Sequence, residues 1–338
     1  MSLRPVRRRG TALVLAASLV TALAGCGDDT EDAAQARVIE YSNGAGSGNL
    51  AEIADALGYL AAFELKRIGD SSGGPESLQQ LASGDIDFAM SYNGAIIKVA
   101  SAGVPITSVI TYSGSTEKVG NSILVPEDSS IRGPKDLVGK KVAVNTLGAN
   151  YEAILDTYLR RGGLTEDEIA KVTLVPLPGV ASEGGLREGR VEAGVFGRGA
   201  RESALAAGGL RTLVSDYELF GDYNIGTVVL ADEFIEKHRD VAEEFVEGLA
   251  KANDWLAEHT IEEARELLTD YLIERGRDEE VEALRFWVGN GVGTEHGQIQ
   301  AKDFELPLEW LVAEGEIDPK SFDLEDIWTN DLNPLVEN

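Results

Sequence analysis

The chain has 338 residues, 43% of them hydrophobic, and its 58 Asp and Glu oppose 30 Lys and Arg for a formal charge of −28. That apolar content suffices to bury the cores of about two domains, while the negative field repels nucleic-acid phosphates and anionic headgroups and so excludes unaided binding to DNA, RNA or a membrane surface. A single cysteine excludes disulfide scaffolds, multi-cysteine zinc sites and cysteine-held iron–sulfur clusters.

Arg4, Arg7, Arg8 and Arg9 precede an uncharged run from Thr11 to Gly25, the order of a basic and then an apolar region in a secretory signal. The run is too short to span a bilayer comfortably. It ends in Leu23-Ala24-Gly25-Cys26, which resembles a bacterial lipobox; the resemblance implies cleavage before Cys26 and lipidation of that residue. Loss of residues 1–25 removes four arginines and no acid, so the processed balance is 26 − 58 = −32. Residues 26–36, polar and charged, read as a flexible tether between lipid and folded body.

Beyond the tether the chain alternates strand and helix. Arg37 to Ser42 reads as a strand, Asn43 to Asn49 as a glycine-rich loop and Leu50 to Leu57 as a helix. Phe63 to Ile68 is the second strand, Pro75 to Leu81 a helix opened by proline, and Ile86 to Ser91 the third strand, a βαβαβ unit that predicts a parallel sheet. The pattern returns an almost constant distance later. Lys141 to Thr146 repeats the first strand at an offset of 104, Asn150 to Leu159 supplies its helix, Val172 to Leu177 a second strand, and Gly185 to Val195 matches Gln80 to Met90 at an offset of 105. Two similar lobes, and hence a cleft, are expected. From about Asp232 the chain turns helical, with segments Asp240 to Leu256, Ile261 to Ile273, Glu279 to Val288 and Leu306 to Ala313. All four tryptophans fall there and are expected to pack this cover onto one lobe.

Few motifs point to catalysis. Gly46 to Ala51 fits G-x-G-x-x-A between a strand and a helix, with Asp70 about 20 residues on, but an export signal argues against a nicotinamide cofactor; the exposed helix start still suits an anion. Asp85 and Asp87 flank Ile86 at a turn, where short acids accept backbone N–H groups. His238, His259 and His296 lack metal spacing, and neither a G-x-S-x-G elbow nor a P-loop occurs, so no catalytic residue, metal site or cofactor is expected. Val195-Phe196-Gly197-Arg198 reads as continuing the buried strand after the turn at Gly189, which places Arg198 at the strand end facing the crevice, where it can clamp an anion bidentately; Arg201 reads as a surface residue pairing with Glu202 or Asp222.

Ser83-Gly84-Asp85-Ile86-Asp87-Phe88, the strand Ile123 to Pro126 and the stretch Asp136-Leu137-Val138-Gly139-Lys140-Lys141-Val142-Ala143-Val144, with the lipobox, resemble solute-binding proteins of ABC importers, in the nitrate, sulfonate, taurine and thiamine-precursor branch. The resemblance covers roughly Val38 to Leu332. It implies an α/β, two-lobed type II periplasmic binding protein fold, each lobe a mostly parallel sheet flanked by helices, with residues 37–115 and 228–338 in lobe 1 and 116–227 in lobe 2. It also implies a lipid-anchored monomer on the outer face of the cytoplasmic membrane, with a permease and a cytoplasmic ATPase as partners and no nucleic acid. Site residues carried over are Ser42, Asn43, Gly48 and Asn49 after the first strand; Ser91, Tyr92 and Asn93 after the third; Tyr112 from the first crossover region; Thr146, Gly148, Ala149, Asn150 and Tyr151 in the second lobe; Gly197 and Arg198; and Tyr223 and Asn224. Arg198 and two helix starts favour a small anion, an organosulfonate such as taurine or a nitrate. The alternatives are a planar ring such as a thiamine-precursor pyrimidine held by Tyr92, Tyr112, Tyr151 and Tyr223, or a pyrimidine synthase-like enzyme, which requires a histidine in the cleft.

Overall fold

The computed structural model describes residues 35–337 apart from 44–47, 72, 178–179 and 321. The signal region, Cys26, nearly all of the tether, and Gly46 and Ser47 of the first glycine loop lie outside the described residues.

Ten strands are named here in chain order: β1 Val38–Ser42, β2 Glu64–Gly69, β3 Phe88–Tyr92, β4 Ile106–Ser115, β5 Ser122–Pro126, β6 Lys141–Val144, β7 Thr173–Pro176, β8 Ala193–Phe196, β9 Leu210–Ser215 and β10 Tyr223–Ala231. The principal helices are α1 Leu50–Ala56, α2 Gly74–Ser83, α3 Asn93–Ser101, α4 Asn150–Arg161, α5 Val180–Arg187, α6 Arg198–Ala206, α7 Asp216–Phe220, α8 Arg239–Glu258, α9 Ile261–Glu274 and α10 Lys302–Ala313. Local chemistry accounts for several boundaries. Asn49 caps α1 through a 2.8 Å bond from the Ala51 N–H. Pro75 sits in the first turn of α2, and Gly84 ends that helix in the left-handed region at φ 78°.

In one lobe β1 and β2 pair in parallel, and β10 lies between β3 and β4, antiparallel to both. The other lobe is a five-stranded sheet in the order β7-β6-β8-β5-β9, in which β6 runs parallel to β7 and β8, and β5 antiparallel to β8 and β9. Each lobe therefore keeps the parallel strands of its own repeat and takes in one antiparallel strand at a crossover. β5 enters the second lobe directly after β4, and β10 returns to the first directly after β9. Every residue of β10 except Ala231 is buried, as befits a central strand covered on both faces.

The first lobe has two apolar cores. One gathers Ile39, Tyr41, Phe88 and Val228 under α8 and α9, with Phe245 at its centre; the other sets Leu78, Ile96 and Phe304 against Trp310 and Leu311 of α10. The second lobe packs Val142, Val144, Ile154 and Leu159 on one face of its sheet and Leu124, Ala143, Leu186 and Phe196 on the other. The cover departs from expectation at one place. The helix predicted over Glu279 to Val288 is reduced to a short 3-10 turn Asp278–Glu280 and a single helical turn Val281–Leu284. The chain then runs irregularly through Gly289, Gly291 and Gly293, and Trp287 is carried to the mouth of the cleft.

Candidate functional site

Parallel strands deliver their C-terminal ends to one side of a sheet, and the helices that follow point their N-termini there. In this molecule four such ends meet. β1 leads through Ser42 and Asn43 to α1, β3 ends at Tyr92, β6 leads through Asn145 to α4, and β8 leads through Gly197 to α6; all of these junctions line one cavity of about 740 Å³. The start of α2, at Gly73 and Gly74, lines it too. Helices α4 and α6 carry no side-chain cap, and their first residues line the cavity, so their opening N–H groups are available to an acceptor; α2 is uncapped too, but Pro75 has no N–H and the Glu76 and Ser77 N–H groups bond the Gly73 carbonyl.

Among the described residues, Arg198 is the one cationic residue on the wall. It is the first residue of α6 rather than the last of β8: the strand ends at Phe196, Gly197 is the extended N-cap, and the helix opens at Arg198. Its Nη2 donates to the Ser113 hydroxyl and, at 3.4 Å, to the Gly114 carbonyl, while Nε is buried without a partner. Asp216, an enclosed acid within the field of Arg198, is occupied elsewhere. It accepts from Ser115 Oγ at 2.7 Å, from the Asn121 N–H at 3.0 Å and from Asn121 Nδ2 at 2.7 Å, and its carboxyl is nonetheless pushed up by desolvation. This carboxylate ties the end of β4 and the approach to β5 to the end of β9, so it binds both crossovers together. Tyr112 and Tyr151 stand within the field of Arg198; burial pushes both phenols up and the guanidinium pulls them partly back.

Of the residues named from sequence, Ser42, Asn43, Gly48, Tyr92, Tyr112, Ala149, Asn150, Tyr151, Gly197 and Arg198 line this cavity. The remainder do not, each for a local reason. Asn49 is enclosed as the cap of α1, and Ser91 is fully buried behind Gly74, whose missing Cβ allows the close approach. Asn93 donates to the Asp303 carbonyl at 2.9 Å and accepts from Thr227 at 3.2 Å inside the first lobe. Thr146 and Gly148 lie on the outer part of the loop before α4, where the Gly148 N–H donates to Glu152 at 2.6 Å. Tyr223 faces Asp216, and Asn224 donates to Asp303 at 2.9 Å; both border only a separate void of about 20 Å³.

Sequence reasoning missed Asn121, Asn145, Phe286 and Asn290, and it placed Trp287 in the core, where the indole is 7% exposed yet borders the cleft. A glycine was the available signal: a Cβ on Gly48 would lie 2.5 Å from Trp287 Cε2, so the ring rests on the loop that opens α1. Arg201 is held by Glu202 at 2.6 Å, and Asp87 accepts the Glu40 N–H at 2.6 Å. Histidine is absent from the wall among the described residues; His296 instead bonds Asp254 at 2.7 Å, and His259 stacks on Trp255. Among the described residues no helix is long and apolar enough to cross a membrane.

The arrangement can hold an oxyanion without proton transfer, by one guanidinium and several N–H groups. Several known proteins are similar to this chain. The taurine-binding periplasmic protein of Escherichia coli (strain K12) is 26% identical over 182 residues, 53% of this chain and 53% of that protein. A putative aliphatic sulfonates-binding protein of Bacillus subtilis (strain 168) is 25% identical over 197 residues, 58% of this chain and 57% of that one. The chain thus matches little more than half the length of either relative. The periplasmic nitrate-binding protein NrtA of Synechocystis PCC 6803 shares the fold, with a TM-score of 0.66 at 14% identity over 88% of this chain and 87% of that chain. A family model described as NMT1/THI5 like matches residues 53–263, well over half of the sequence. With its two α/β lobes and the cleft between them, the chain belongs to the NMT1/THI5-like family and has the type II periplasmic binding protein fold.

Proposed function

We propose that the protein is the extracytoplasmic substrate-binding subunit of an ABC importer, which captures a small oxyanion of the organosulfonate or nitrate kind and makes or breaks no bond. Lobe 1 comprises residues 37–115 and the chain from β10 onward, which begins at Tyr223 rather than at the expected 228 because the whole strand pairs with β3 and β4; lobe 2 is the segment between, and the ligand is held by closure of one on the other. Closure is favoured only to the extent that the ligand binds the closed cleft better than the open one. Cys26 carries the lipid that keeps the monomer at the outer face of the membrane, where it hands solute to a permease driven by a cytoplasmic ATPase. The observation that carries the reading is Arg198: a guanidinium on the cavity wall, with no carboxylate partner among the described residues and an unpartnered Nε, at the uncapped helix starts of α4 and α6. The names of the relatives, for taurine, aliphatic sulfonates and nitrate, support the same class of ligand.

The test is a thermal-shift and calorimetric screen against alkanesulfonates, taurine, nitrate, aromatic sulfonates and carboxylates, and aminopyrimidines. A ligand at 100 times its Kd adds about 2.7 kcal/mol to stability, a rise of about 5 °C for a chain of this size. An anion gives this rise with the wild type, and Arg198→Ala abolishes its binding while the unliganded melting temperature changes by less than about 2 °C, as expected of a partly exposed residue. Undiminished anion affinity in Arg198→Ala removes the arginine clamp, and stabilisation by aminopyrimidines alone transfers the role to the tyrosines.

A further inference from the structure

We infer that the solute of this cleft is an aromatic sulfonate or carboxylate, its single anionic head at Arg198 and its uncharged ring against Phe286 and Trp287. The inference rests on the oxyanion reading and narrows it. Size is the first argument. A cavity of about 740 Å³ falls within the range of roughly 300–1,000 Å³ that encloses drug-sized ligands. Nitrate or a two-carbon sulfonate would leave most of it to water, each molecule taking about 30 Å³.

The second argument is the wall. Tyr112, Phe196, Phe286 and Trp287 all border the space, and aromatic faces gain most from a ring set offset or edge-on against them. Head site and platform adjoin: Gly199, the residue after Arg198, lies so close to the cover that a Cβ on it would be 3.1 Å from the Phe286 carbonyl oxygen. A ligand of ordinary length anchored on the guanidinium therefore extends over Phe286 and Trp287.

The third argument is charge. Among the described residues Glu183 is the only acid on the wall, and Arg187 holds it at 2.7 Å. Asp216 is enclosed and already accepts three hydrogen bonds from Ser115 and Asn121. An ammonium group on the ligand finds no free carboxylate among these residues, so a zwitterion such as taurine leaves its cation uncompensated, whereas a neutral ring desolvates at no such cost.

Calorimetric titration of the full chain with naphthalene-2-sulfonate, benzenesulfonate, ethanesulfonate, taurine and nitrate tests this. The expected result is a Kd for naphthalene-2-sulfonate at least tenfold below that for ethanesulfonate, a ratio that Phe286→Ala reduces at least fivefold. Should that variant fail to fold, Tyr112→Leu reads the same ratio. Ethanesulfonate, taurine or nitrate binding as tightly as the aryl anions overturns the aromatic assignment and leaves the oxyanion reading standing. Failure of every anion to bind overturns both.

Discussion

Gly114 and Gly291 show how a single missing side chain shapes the site. The Gly114 N–H donates to the Asn290 carbonyl at 2.8 Å, and Gly291 turns the chain in the left-handed region at φ 67°. A Cβ on Gly114 would overlap the Gly291 carbonyl oxygen, which belongs to backbone and cannot rotate away. The contact pins the segment bearing Trp287 and Asn290 onto the end of β4, beside the Ser113 hydroxyl that orients Arg198. Gly114→Ala is therefore expected to destabilise the protein by about 2 kcal/mol, in the range for overpacked sites, and to weaken anion binding as the wall retreats; a denaturation midpoint equal to that of the wild type contradicts the packing argument. The same residues mark what sequence could and could not reveal. Gly48, Asn150 and Gly197 stand at strand-to-helix junctions, where period and glycine placement announce a cleft. Phe286 and Asn290 reach it from a segment far along the chain, and the helical period read over Glu279 to Val288 gives Phe286 no true direction because the helix stops at Leu284. Asn93 and Asn224 have the polarity of ligand contacts, but their side chains are used by a backbone carbonyl and a carboxylate that only the tertiary structure brings near, while Asn49 is spent on capping its own helix.

Among the elements, α4 and α10 form the contact that joins the second lobe to the cover of the first. Trp310 Nε1 donates to Asp156 at 3.0 Å, and Arg160 bonds Glu314 one turn further on. Desolvation, opposed by the indole N–H and reinforced by Glu314 and Glu152, pushes the Asp156 carboxyl up to about 7. The folded chain then holds a proton that the unfolded chain has released between about pH 4 and 7, so this group's contribution to stability falls as pH rises across that window. Asp156→Asn keeps an oxygen for Trp310 and has no charge to desolvate. It is expected to exceed the wild type in stability by about 2 kcal/mol at pH 8, below the full linkage limit of ~1.4 kcal/mol per pH unit, with the gap closing towards pH 5. Urea midpoints that differ equally at both pH values overturn the assignment. Elements with strong periodicity were legible in the sequence: α8 and α9 occupy Arg239–Glu258 and Ile261–Glu274, within two residues of expectation. The predicted helix over Glu279 to Val288 failed because its acidic spacing has another cause. Glu280 is buried and held by Arg277 at 2.6 Å, and the glycines after Trp287 favour the irregular course taken instead.

At the scale of the whole molecule, the near-constant offset between the two halves announced two lobes and the family resemblance implied a crossover and a return of the chain, while the antiparallel pairing of β5 and β10 was hidden. A buried strand reads alike whether its neighbours run parallel or antiparallel to it, and pairing is decided by contacts remote in sequence. The formal charge of −28 acts at the same scale. An anionic solute approaches a body that repels it, and only inside the cleft does it meet Arg198 and the uncapped helix starts of α4 and α6. The two fields differ in reach. At 10 mM salt the screening length is about 30 Å and the net charge dominates the approach; at 150 mM it is about 8 Å, and the repulsion fades before the local attraction within the partly desolvated cleft does. The association rate of a bound anion is thus expected to rise about threefold or more between these concentrations, with its dissociation rate changing less than twofold. Stopped-flow tryptophan fluorescence measures both; an association rate that falls with added salt would show that the cleft's positive field, and not the acidic surface, governs capture.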